Sequence, residues 1–417
     1  MGCNPAGSVT SPISAVSVKP RVLTFASYYL PGFKSGGPPR SISNLARALA
    51  VDFEFLIVTR NRDLGERKPY PGVPCDGWIE SLHGPVNYRS PRGFRLTAVA
   101  RLLRETSHDV LYLNSVFDTA CSTLPLLARQ LGLAPIRPLV IAPRGELGAG
   151  ALALKRGRKA FYLGIAQKLG LFREALWMAS SEREAEDIQR VLKVGSDRLV
   201  IASDIVGALP AELPGPPARA LGDPLRVIFL ARISPMKNLE YALDLLSCLD
   251  DVPVNLDVVG PCSDPKYLSA LRCQAEKLPQ SIKVSFTGEI QPIHVPDILS
   301  CYDLLLLPTR GENFGHVICE ALQAGTPVLI SDRTPWRTTL DQACVAVSLD
   351  DPGKFRRIIR ERALASPEEQ MQLRAAARHC AALFGDDPGH ITANRALFLR
   401  AAAEANPDVV VNSDAVG

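Results

Sequence analysis

One pattern limits the folds open to this chain more than any other. Short apolar runs alternate with helix-periodic segments, and the alternation starts again after a proline-rich break. In the first half, residues 21–26, 54–59, 110–113, 139–142, 175–179 and 200–202 read as strands. In the second half, 225–230, 254–259, 284–287, 304–307 and 327–330 do the same. Helical segments lie between them: from Ser41 or Ser43 as cap, then 117–131, about 151–169, 182–192, 238–249, 267–277 and 295–301. A strand that alternates with a helix returns parallel to its predecessor, so each half predicts a parallel sheet covered by helices. The fold class that follows is α/β, two Rossmann-like domains whose sheets face a central cleft.

The break, 207–224, holds Pro210, Pro214, Pro216, Pro217 and Pro224 and excludes regular structure. At 417 residues the chain suits two domains of about 200 residues each. The expected division is a disordered leader over 1–19, a first domain over 20–206, a linker over 207–224 and a second domain over 225–383. The remainder, 384–417, is a last helix that returns toward the first domain, followed by a tail.

Composition excludes several classes. The net charge of +4 is small for this length and gives no case for nucleic-acid binding. The ten cysteines are scattered without a C-x-x-C pair, so buried reduced thiols are expected rather than zinc ligands. No apolar run approaches the roughly 20 residues of a membrane span. The N-terminus carries neither the basic start nor the apolar stretch of a signal peptide. A cytoplasmic protein is expected, with peripheral contact at the inner face of the membrane left open. That contact would use Lys155, Arg156, Arg158 and Lys159, on the basic side of the 151–169 helix. The same face also reads as an ordinary solvated one.

Candidate chemistry gathers where strands end. The run Leu304–Leu307 stops at Pro308 and leads into Glu312-Asn313-Phe314-Gly315-His316, a helix mouth, with Glu320 in the helix behind it. Ligands in open parallel sheets bind at this end of the strands. The strand 225–230 leads to Arg232 and Lys237, five positions apart, with another helix starting behind the lysine. A guanidinium fork, an ammonium and a helix N-terminus suit a diphosphate. Carboxylates at 312 and 320 suit the hydroxyl pairs of a sugar or ribose, because each accepts two hydrogen bonds; a general acid/base couple and two structural acids are the other readings. In the first half, Gly36-Gly37 let a backbone approach a phosphate or sugar closely. Pro143-Arg144-Gly145-Glu146 closes another strand there.

Residues 229–237, 302–328 and 143–162 together resemble glycosyltransferase family 4, the glycosyl transferases group 1, of the GT-B fold and the bacterial polysaccharide-assembly type. The pair Glu312 and Glu320, followed by Gly-Thr-Pro-Val, is similar to that family's signature. The resemblance implies a retaining transfer of sugar from a nucleotide-diphosphate-sugar donor to a glycan or lipid-linked acceptor, in cell-surface polysaccharide assembly. It implies no cofactor and no metal. Arg232 and Lys237 would stabilise the leaving diphosphate. Glu312 would hold the transferred sugar and Glu320 the nucleotide side, with Asn313 beside them. The amides of Phe314, Gly315 and His316 would bind donor sugar or phosphate, and Gly36 and Gly37 would line the phosphates. Arg144 and Glu146 would stand on the acceptor side. Three positions depart from the family pattern: Asn313 where glycine is frequent, Ala202-Ser203-Asp204-Ile205 where Asn-Gly is frequent, and Arg144 where a histidine is frequent. A nucleotide-sugar epimerase or hydrolase on the same fold, and an idle binding protein, are the alternatives.

Overall fold

The computed structural model describes residues 19–405 apart from 154–155, 208–212, 214, 217–218, 221 and 386. The leader 1–18, the end of the tail and Lys155 lie outside the described residues. Two sheets organise the chain. The first contains β1 (Arg21–Ala26), β2 (Glu54–Arg60), β3 (Trp78–Ile79), β4 (Val86–Arg89), β5 (Val110–Asn114), β6 (Leu139–Ala142), β7 (Leu176–Ala179) and β8 (Leu199–Ile201). Their order across the sheet is β3-β4-β2-β1-β5-β6-β7-β8. The second contains β9 (Leu225–Leu230), β10 (Val254–Val259), β11 (Ile282–Gly288), β12 (Leu304–Leu307), β13 (Val328–Ser331) and β14 (Cys344–Val347), in the order β11-β10-β9-β12-β13-β14.

The central strands are continuous apolar runs because helices cover both of their faces. All four residues of β12 are buried, as are all four of β13. The second sheet is parallel throughout, but the first is mixed. Its edge strand β3 pairs antiparallel with β4, with Trp78 opposite Asn87. Neither β3 nor β4 has a pattern long enough to stand out in the sequence, so the all-parallel expectation fails at this edge.

Two helix expectations also change. The first helix runs Pro38–Ala48, with Gly37 at its N-cap and prolines in its first turn. Ser41 and Ser43 are therefore inside it and not its caps. The fixed φ of proline suits the first turn, where a missing N–H costs nothing. The 151–169 segment is described as Ala149–Ala153 and Arg156–Lys168. It buries Leu163 and Ala166, and leaves Phe161 72% exposed with Ile165 and Leu169 also in the open. Several of its large apolar side chains are thus turned outward.

The chain ends in three helices, Pro352–Leu364, Pro367–Gly385 and Pro388–Ala405. The last covers the first sheet. Phe398, fully buried, meets Phe53, Phe55 and Tyr112 edge-on, with centroids 5.9, 5.5 and 5.1 Å away. Arg219, in the connecting stretch, is buried and donates to the carbonyls of Ala363 and Arg362. The crossing between domains is therefore fixed at both ends. Truncating Phe398 to alanine is expected to cost about 3–5 kcal/mol, the range for a buried aromatic. A fall in the urea midpoint of the full chain would register it, and an unchanged midpoint would contradict the docking of this helix.

Candidate active site

The carboxyl ends of both sheets face each other across a cavity of about 320 Å³, within the range of small-molecule sites. From the second domain it is lined by Arg232, Lys237, Glu312, Asn313, Phe314, Gly315, His316 and Glu320. From the first domain come Gly36, Gly37, Arg40, Ser41, Arg144 and Asp204. Every candidate from the sequence except Glu146 reaches this cavity. Arg40, Ser41 and Asp204 join it, though the sequence marks none of them as a site residue.

The loop 312–316 is built by local bonding. Phe314 is buried, its ring packed against Trp336 and Phe384, and its carbonyl accepts from the Trp336 indole at 2.6 Å. Gly315 has φ +84°, and a Cβ there would stand 2.9 Å from Glu312 Cγ. Glycine thus permits the left-handed turn that opens the helix His316–Gln323. That helix buries Ile318, Cys319, Ala321 and Leu322. Val317 is only half-buried and lines the cleft. The Arg232–Lys237 turn is tied to the same loop. Asn238 donates to the carbonyl of Pro308 at 2.9 Å, and the Met236 carbonyl accepts from Arg310 N at 2.8 Å. Lys237 thereby comes into an ion pair with Glu312, both side chains 15% exposed.

The first domain presents its glycine loop opposite. A side chain at Gly36 would stand 3.7 Å from Arg232 Nε, and a Cβ at Gly37 would come within 2.9 Å of the His316 ring. Gly37 is required by that close approach. Asp63 holds the loop from behind, accepting from Phe33 N at 2.8 Å and Lys34 N at 3.1 Å. Lys34 crosses to Glu289 of the second domain at 3.0 Å. Arg40 pairs with Glu320, so the acid expected to face the ligand is bound by the opposite domain in this structure.

A buried charge cluster lies at the back of the cleft. Arg144 pairs with Asp204, and also donates to Asn114 at 3.0 Å and Tyr112 at 2.8 Å. Asp204 accepts from Ser41 Oγ at 2.8 Å, and His316 Nε2 lies 2.7 Å from the same hydroxyl. Burial alone raises the Asp204 carboxyl, but the Arg144 guanidinium, with His316 and Ser41, outweighs it and holds the acid well below the ordinary carboxylate range. Glu146 does something different from what its position suggested. It accepts from Ser115 Oγ at 2.9 Å, Val116 N at 2.7 Å and Phe117 N at 3.2 Å. It pins that turn and stands outside the cavity. Burial pushes its carboxyl up. Among the described residues no group of three or more His, Cys, Asp or Glu side chains gathers as a metal site.

Removing one member of a buried ion pair leaves the other uncompensated, at a cost of about 3–5 kcal/mol. Asp204→Asn should therefore lower stability by that order in chemical denaturation. Because the folded acid is depressed, its contribution is fully present above the unfolded value of about 3.9 and is lost as pH falls through the lower folded value. The gap between wild type and Asp204→Asn should stay level from neutral pH down to the carboxylate range and narrow only in acid. A gap that closes already between neutral pH and pH 6 would contradict the pairing.

Comparisons with known proteins follow the same division. Residues 217–379 match the family described as Glycosyl transferases group 1. A phosphatidyl-myo-inositol mannosyltransferase of Mycobacterium leprae is 35% identical over 120 residues, 27% of this chain and 30% of that protein. A D-inositol 3-phosphate glycosyltransferase of Jonesia denitrificans is 28% identical over 112 residues, 25% of this chain and 26% of that protein. The chain thus spans less than a third of the length of these curated relatives. The fold likeness is far wider. Sucrose-phosphate synthase from Thermosynechococcus elongatus superposes at a TM-score of 0.67 and 19% identity, over 93% of this chain and 100% of that one. HepE of Anabaena, solved with UDP and glucose, gives 0.63 and 16%, over 92% of this chain and 99% of that one. Residues 217–379 are thus similar to the glycosyl transferases group 1 family, and the whole chain carries a two-domain GT-B fold.

Proposed function

We propose that this protein transfers a sugar from a nucleoside-diphosphate sugar to a glycan or glycolipid acceptor, in the assembly of a cell-surface polysaccharide. The observation that carries the reading is the placing of Arg232 and Lys237 on the cleft wall opposite Gly36-Gly37, beside the mouth of the His316–Gln323 helix. Charge that builds on a leaving diphosphate would meet a guanidinium, an ammonium and backbone N–H groups in a cleft shielded from water. These cations would do the work a metal does elsewhere, and no metal or cofactor is proposed. Glu312 would release Lys237 to the diphosphate and hold the transferred sugar. Glu320 would exchange Arg40 for the nucleotide's hydroxyls. Closure around the donor would limit its hydrolysis. Retention at the anomeric carbon rests on the family likeness. UDP-linked donors come first among candidates, since HepE was solved with UDP and glucose.

The test is nucleoside diphosphate release with a panel of nucleotide sugars, with and without acceptors. Release that depends on acceptor is expected; none with any donor would overturn the reading. Release without acceptor would favour a hydrolase. Lys237→Ala should lower turnover by at least about 100-fold, the scale of one electrostatic donor, while the variant keeps its melting temperature. Near-wild-type turnover would remove the diphosphate assignment.

We also propose that the helix Arg156–Lys168 rests on an anionic membrane surface. Phe161, Ile165 and Leu169 are exposed on this helix and its end, as are Arg156, Arg158 and Lys168. Lys159 is turned inward, its Nζ on the Ala151 carbonyl at 2.9 Å and 4.6 Å from the Phe117 ring, so it leaves the contact set expected from the sequence. No helix among the described residues is long and apolar enough to cross a membrane. Sedimentation with phosphatidylglycerol vesicles should recover the wild type. Phe161→Glu should weaken that binding about tenfold or more, from the apolar burial lost. Equal recovery of both would overturn the contact.

A further inference from the structure

The donor-side loop, 312–316, is held by the first domain at two points, and both holds lead to the same turn. At one point stands Glu184, in the helix Glu182–Leu192 and only 4% exposed. It accepts from Gly145 N at 2.6 Å, Ser180 N at 2.8 Å and Ser180 Oγ at 2.9 Å. With its amide turned to satisfy both ends, Asn313 donates to the two Glu184 oxygens at 3.0 and 3.2 Å and accepts from Ser180 Oγ at 2.8 Å. At the other point stands Asp204, 5% exposed, bonded to Arg144 and Ser41 and 3.6 Å from His316 Nε2.

Arg144 and Gly145 are consecutive residues with φ +55° and +79°. Arginine in the left-handed region needs outside support. Asp204 holds the side chain of the first and Glu184 the backbone of the second. The same two acids reach across the cleft to residues 316 and 313. A hydrogen bond to a buried carboxylate is among the stronger kinds, and leaving such an acid short of donors is costly. Asn313, where the family pattern favours glycine, supplies donors that glycine lacks.

We propose that Glu184 and Asp204 are positioning residues that lock the turn 143–145 of the first domain to the donor loop 312–316 of the second. The two walls of the cleft then align as one unit before the donor arrives. The consequence for transfer rests on the sugar-transfer reading above; the lock itself does not. Reacting groups displaced by about 1 Å lose rate by orders of magnitude, so a lock of this kind acts on kcat and on the exclusion of water.

Two variants of the full chain test it without touching the buried acids. Asn313→Gly deletes the cross-domain bonds. Asn313→Asp keeps the shape but sets a second carboxylate against Glu184. Thermal melting establishes that both fold. Small-angle scattering of the ligand-free chain should show a larger radius of gyration for Asn313→Asp than for wild type, with Asn313→Gly between them. With a donor that turns over, kcat for transfer should fall about tenfold in Asn313→Asp, and the ratio of hydrolysis to transfer should rise by a similar factor. Wild-type scattering together with a wild-type ratio of hydrolysis to transfer in Asn313→Asp would overturn the lock. If wild type releases no nucleoside diphosphate from any donor, the transfer reading fails alone, and the scattering comparison still decides the lock.

Discussion

Parallel pairing is the constraint on which the rest of this structure depends. A strand can return parallel only through a crossover, and every crossover helix starts near the carboxyl end of the strand before it. All the loops between strand ends and helix starts therefore collect on one edge of each sheet. In this chain those edges face each other. The glycine loop after β1, the turn after β6, the Arg232–Lys237 turn after β9 and the 312–316 loop after β12 meet for that reason. The antiparallel strand β3 stands at the far edge of the first sheet, where it disturbs none of them.

Six of the charged side chains that line the cleft stand in pairs. Lys237 meets Glu312, Arg40 meets Glu320, and Arg144 meets Asp204. The three pairs differ in kind. Arg144 and Asp204 are buried, the first bonded also to Tyr112 and Asn114 and the second to Ser41, and belong to the framework. The other two line the cavity, and in the proposed reading Lys237, Glu312 and Glu320 would turn from these pairs to the donor. Both pairs keep some contact with solvent, which weakens their attraction, so a ligand that offers better geometry can displace it. The paired state keeps opposite charges from standing uncompensated in a half-closed cleft.

Most strands were legible, because a run such as Leu304–Leu307 is buried on both faces and carries no competing period. Residues 21–26 and 139–142 were legible for the same reason. The misses have physical causes. β3 and β4 are too short to carry a pattern. Ser41 looked like a cap because serine is a good one, yet the prolines at 38 and 39 start the helix earlier. The helix Arg156–Lys168 has apolar residues on more than one side, and periodicity could not say that Leu163 and Ala166 would be the buried pair. Glu146 has a promising place in the chain, but three donors in 115–117 hold it outside the cavity.

By itself the sequence determined the α/β class, the restart after 207–224, and a cluster of cations, acids and glycines at strand ends. These follow from local pattern, since each depends on residues within a few positions of one another. Only the tertiary structure decided which groups meet across the cleft. Arg40, Ser41, Glu184 and Asp204 carry no local signature, and each acquires its role from a partner more than a hundred positions away. Asn313 shows the division most clearly. In the sequence it is a departure from a family pattern; in the fold its amide reaches the one buried acid that also holds Gly145. Hydrogen bonding between distant segments is set by the folded geometry, and no spacing along the chain encodes it.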